Sequence, residues 1–93
     1  DRLNQQNIVW MVLIFTKKKD AALRQYVTRT LQRSVTYWEG TGAYSNSPTD
    51  IMCICLSKYE LEGLRHAMNT LDPEAFMVVD EGVHIHGHYI KRL

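Results

Sequence analysis

A four-stranded antiparallel sheet with two helices on one face, an α+β arrangement, is the fold class this sequence predicts. Two apolar runs of strand length, residues 8–15 and 51–56, supply the centre of such a sheet. Each is followed by a segment with apolar residues at helical spacing. The 93-residue chain is long enough for one hydrophobic core and too short for two.

Residues 1–6 are polar and read as a linker or frayed end, and 7–93 as a single domain. The first strand covers 7–15, where Ile8, Val9, Trp10, Met11, Val12, Leu13, Ile14 and Phe15 run without a polar interruption. Thr16 is then a candidate helix cap. Over 20–31, Ala22, Leu23, Tyr26, Val27, Thr30 and Leu31 share one helical face, with Arg24, Gln25, Thr28, Arg29 and Gln32 on the other. A more polar second strand covers 35–39. The segment 40–50, eleven residues rich in turn formers, separates it from the third strand at 51–56. Ser57 and Glu60 have capping-box spacing, in which serine oxygen and glutamate carboxylate each take a backbone amide of the other residue. Leu61, Leu64, Met68 and Leu71 mark the buried face of the second helix, and Pro73 stops it by disfavouring helical dihedrals at Asp72. The fourth strand is expected over 75–79, with a tail beyond it.

The order βαββαβ is that of a ferredoxin-like domain: two right-handed crossovers joined by a hairpin, with the first and third strands central. Those are the two strands that are apolar on both faces, whereas the helices cover only one face of the sheet. The open face is therefore expected to pack on another copy of the chain, on a parent domain or on the C-terminal tail. A homo-oligomer is the favoured arrangement.

Charge and cysteine content exclude several function classes. Eleven basic residues against ten acidic ones leave a net charge of +1, which attracts neither nucleic acid nor an anionic bilayer. Lys17-Lys18-Lys19 is followed at once by Asp20 and reads as a solvated helix start. Cys53 and Cys55 lie in an apolar run, away from any helix start or neighbouring cation that would activate a thiol. They read as small buried hydrophobes in a reducing setting. With no suitably spaced carboxylate pair either, neither an enzyme nor a cofactor is expected. The longest apolar run has eight residues, short of the roughly 20 needed for a membrane span. The chain opens on Asp1 and is read as a cut-out piece, compatible with a span upstream.

The glycine-bearing segment is the leading site candidate. Gly40 and Gly42 allow close backbone approach, and successive amides in such a turn can cradle an anion. Ala43, Tyr44 and Ser45 extend the candidate with backbone, stacking and hydroxyl contacts, while Arg33 and Thr36 supply phosphate donors nearby. A flexible hairpin loop with an exposed arginine is the alternative. The segment exceeds the two to five residues of a plain hairpin, which favours function. A second candidate is His84, His86 and His88, whose alternation on a strand aligns three imidazoles at about 6.6 Å steps. That spacing is too long for one zinc ion to hold all three without a bend at Gly87, and a polar tail is the simpler reading.

Three motifs together carry a family resemblance: Arg33-Ser34-Val35-Thr36, Glu39-Gly40-Thr41-Gly42-Ala43-Tyr44-Ser45, and Leu71-Asp72-Pro73-Glu74-Ala75-Phe76. The chain resembles the C-terminal soluble domain of YitT-type bacterial membrane proteins, domain of unknown function 2179. The resemblance implies a domain at the cytoplasmic face of the cell membrane, attached to an upstream multi-span region, with no established catalytic activity. Ser34 stands where the family typically has glycine, and Gly87 and Tyr89 are what remains of its usual ending. The functional expectation is a regulatory domain that captures a small anionic ligand, such as a nucleotide, at the loop after the second strand. A purely structural oligomerisation domain and a histidine metal module are the alternatives.

Overall fold

The computed structural model describes residues 8–17 and 21–87. It contains β1 (Ile8–Thr16), a first helix α1, β2 (Thr36–Thr41), β3 (Pro48–Leu56), α2 (Lys58–Leu71) and β4 (Phe76–His84). In α1 an α-helical turn, Ala22–Gln25, runs into a π-helical turn, Tyr26–Thr30. The sheet order is β2-β3-β1-β4 with every neighbouring pair antiparallel, the ferredoxin-like arrangement with β1 and β3 in the centre.

Strand alternation divides the sheet into two faces. On one, Val12, Ile14, Met52, Ile54 and Leu56 meet Leu23 and Val27 from α1 and Leu61, Leu64, Ala67 and Met68 from α2, and all are buried. Trp10 packs against this cluster from its edge. Arg24 of α1 stacks its guanidinium 4.1 Å over the Tyr37 ring, adding a cation–π contact where β2 has no further strand beside it. On the other face lie Met11, Leu13, Phe15, Ile51, Cys53 and Cys55, each only partly buried. Beside them Trp38, Phe76 and Val78 are exposed. The face that the sequence leaves without helices is thus apolar across all four strands.

Several boundaries differ from expectation for identifiable reasons. Thr16 does not cap α1. It ends β1, is buried, and donates its hydroxyl to the Asp72 carboxylate. The β2–β3 ladder continues to the pair Thr41 and Pro48, so the long turn segment shrinks to the connection Gly42 to Ser47. Proline is tolerated at Pro48 because it is the first residue of its strand. The fourth strand runs on to His84 through a bulge: Glu81 and Gly82 lie between partners of Met11 and Val9, which on β1 are separated by Trp10 alone. Gly82 takes φ +71°, the left-handed conformation a glycine bulge requires.

Candidate functional site

Ser57 ends β3's exit and begins the most strongly determined local structure. Its amide donates to the Glu60 carboxylate at 2.8 Å, closing the capping box from the glutamate side. The same carboxylate receives the Arg33 guanidinium, with Nη2 at 2.9 Å and Nε at 3.1 and 3.2 Å from its two oxygens. Arg33 is buried, with a side chain only 3% exposed. It therefore fastens the segment between α1 and β2 to the start of α2 and does not line the glycine segment. Thr36 opens β2, pairs with Cys53, and lies at the opposite end of that strand from Gly40.

Gly40 and Gly42 do line a cleft, of about 870 Å³, at the end of the sheet. Three chain segments build it. The end of β1 gives Phe15, Thr16 and Lys17; the β2–β3 hairpin gives Gly40, Thr41, Gly42, Thr49 and Ile51; the turn into β4 gives Asp72, Pro73, Glu74 and Phe76. The turn forms because Asp72, the C-cap of α2, donates its backbone N–H to the Met68 carbonyl and accepts the Ala75 N–H at its own carbonyl. Phe15 and Phe76 are direct cross-strand partners, and their rings stack with centroids 4.8 Å apart and planes 9° apart. Ile51 pairs with Phe15 from the other side, and Trp38 with Ile51, so one rung of the open face reads Trp38, Ile51, Phe15, Phe76. Gly40 lies beside this rung. A Cβ there would stand 3.2 Å from Ile51 Cδ1, so the missing side chain keeps the surface low.

Ala43, Tyr44 and Ser45 are exposed at the tip of the hairpin and are not among the lining residues. Ser45 Oγ instead lies 2.7 Å from Ser47 Oγ, and Gly42 donates its amide to the Ser47 carbonyl at 3.0 Å. Asn46 supports the tip with φ +55°. His84 and His86 are exposed, and His88 lies outside the described residues. Among the described residues, no group of three or more histidine, cysteine or acidic side chains is placed to hold a metal ion. Cys53 and Cys55 are thiols on the open face. The Cys55 thiol is pushed up from its ordinary pKa by burial and by Cys53, against a smaller opposing effect of Arg33.

The cleft residues that sequence reading passed over are those beyond the glycines. In the sequence Thr16 reads as a helix cap, Asp72-Pro73 as a helix stop, and Phe15 as the last residue of the first strand. A usable signal was present nonetheless: two of the motifs that carry the resemblance, around Gly40 and Asp72, are the two that meet here.

Known proteins place the chain. It is 26% identical over 91 residues to UPF0750 membrane protein YitT of Bacillus subtilis (strain 168), covering 98% of this chain and 32% of that protein. It is 29% identical over 68 residues to UPF0750 membrane protein YpjC of the same organism, covering 73% of this chain and 23% of that protein. The chain thus spans a third or less of these relatives, and among its described residues no helix is long and apolar enough to cross a membrane. The crystal structure of an uncharacterized DUF2179 protein from Eubacterium ventriosum superposes with TM-score 0.62 at 25% identity, over 76% of this chain and 97% of that one. A functionally unknown protein from Pediococcus pentosaceus ATCC 25745 shares the fold, with TM-score 0.68 at 12% identity over 89% of this chain and 98% of that one. Residues 33–87 match the family described as "Uncharacterized protein conserved in bacteria (DUF2179)", and this chain belongs to it.

Proposed function

We propose that this domain is a non-enzymatic regulatory module at the cytoplasmic face of a YitT-type membrane protein, which senses a small ligand in the cleft at the end of the sheet. The observation that carries the reading is convergence. The glycine motif and the Asp72-Pro73 motif are some 30 residues apart in the chain and build one cleft together with the end of β1. Its volume of about 870 Å³ falls within the roughly 300–1,000 Å³ range of small-molecule sites. A nucleotide or small anion would meet Lys17 at the rim, and ordering of the hairpin would pass to the open face through the rung at Ile51 and Phe15.

Calorimetry and thermal melting of the 93-residue chain against a panel of nucleotides and small anions test this reading. We expect at least one nucleotide to give saturable heat and raise the melting temperature. Uniformly absent heat with an unchanged melting temperature overturns it. A second reading, self-association through the open face, is favoured by the exposure of Trp38 and Phe76 on that face.

A further inference from the structure

We infer that the cleft recognises the base of its ligand rather than its phosphate: the occupant is a planar nitrogen heterocycle, such as a nucleobase, laid on the Phe15–Phe76 stack with N–H groups turned toward Asp72 and Glu74. The inference rests on the ligand-sensing reading above and sharpens its chemistry.

The floor of the cleft is built for a flat ring. Phe15 and Phe76 stack face to face with parallel planes, 9° apart, and Phe76 remains 58% exposed although it sits in a four-stranded sheet, so the stack is open to a further ring. Parallel stacking on such a platform rewards a π-system beyond its buried area, whereas an alkyl ligand gains only the burial. Gly40 keeps the neighbouring surface free of a side chain, and Ile51 completes the apolar wall.

The rim selects the polar groups. Asp72, whose carboxylate already accepts the Thr16 hydroxyl, and Glu74 offer acceptors, Thr41 and Thr49 offer hydroxyls of either sense, and Lys17 is the one cation among the described lining residues. Two carboxylates against one ammonium oppose a ligand that is simply an anion. They suit a ring bearing amino or imino hydrogens, with a phosphate, where there is one, reaching out to Lys17. Arg33, the cation that the sequence offers as a phosphate donor, is already held by Glu60.

The test is a nuclear magnetic resonance titration of the chain with adenosine, guanosine, their monophosphates and inorganic phosphate, repeated on F76L and G40V. Phe76 is exposed, so leucine there removes the stack without opening the core. Valine at Gly40 suits a strand, and its Cβ meets only the mobile end of Ile51. We expect a nucleoside to shift the signals of Phe15, Phe76 and Gly40, with a Kd within about fivefold of its monophosphate, because one solvated lysine contact contributes little. F76L is expected to weaken binding by about 5- to 150-fold, the range of a lost base–aromatic stack, and G40V to weaken it by obstructing the floor. Shifts produced by phosphate alone, with nucleosides inert, overturn base recognition and leave the ligand-sensing reading standing. Nucleoside binding that F76L and G40V leave unchanged also overturns it, since the ring then sits elsewhere. If no compound moves the cleft signals, both readings fall.

Discussion

Glu60 is the residue on which most of the local order converges, and it does two jobs with one carboxylate. It accepts the Ser57 amide at the start of α2 and neutralises the buried Arg33 guanidinium. The two partners are unequally buried, with side chains 3% exposed for Arg33 and 16% for Glu60, so removing one is not equivalent to removing the other. E60A strands a buried cation and deletes half the capping box. We expect it to cost roughly 3–5 kcal/mol. R33M keeps the aliphatic stem and leaves Glu60 bound to the Ser57 amide, and we expect a loss of about 1–3 kcal/mol. Urea denaturation midpoints of the two variants check the ordering, and equal losses would show that the ion pair rather than the cap dominates. Only half of this was legible in the sequence. The Ser57–Glu60 spacing announces a cap because both partners are local. Arg33 carries no local mark of its partner 27 residues away, so an arginine beside a glycine-bearing loop reads as a phosphate donor.

At the scale of elements, the strands and helices were readable wherever periodicity was long and uninterrupted, as in β1, β3 and α2. The errors fall where geometry departs from a period. Extra ladder pairs at Thr41 and Pro48 lie in a segment whose composition signals turns, and the β4 bulge at Gly82 allows pairing beyond the expected end. The π-helical turn of α1 is of the same kind: the Leu31 amide bonds the Tyr26 carbonyl, five residues back, a shift no apolar spacing displays. This turn sets Tyr26 against α2, where a Cβ on Gly63 would stand 2.8 Å from the Tyr26 hydroxyl. Gly63 therefore trades helix propensity for close approach. We expect G63A alone to be destabilising or neutral. Combined with Y26F, which removes the obstructing hydroxyl, it should be stabilising relative to Y26F by up to about 1 kcal/mol, the propensity difference between alanine and glycine. A double-mutant cycle on melting temperatures measures the coupling, and strict additivity would show that the helices already have room for a methyl group at Gly63.

For the whole molecule, the decisive asymmetry is between the sheet's two faces. The sequence made it visible because two strands apolar on both sides cannot both be satisfied by two helices. What covers the second face was not legible, since covering it requires a surface from elsewhere and a single chain's periodicity records only its own apolar residues. The cleft was legible in part for a similar reason: its glycines stand out in composition, while Phe15 and Phe76 become a platform only when β1 and β4 are paired. Self-association of the open face places Cys53 and Cys55, near the middle of that face, inside the interface, which makes them internal reporters. Burial already raises the Cys55 pKa, so near neutral pH it holds less thiolate than an ordinary cysteine, and its alkylation should accelerate only as pH rises past the usual thiol range. If copies pair through this face, sedimentation should show a concentration-dependent dimer, and iodoacetamide labelling of both thiols should speed up on dilution at fixed pH. A monomer at every concentration, with dilution-independent labelling, would refute pairing through the sheet.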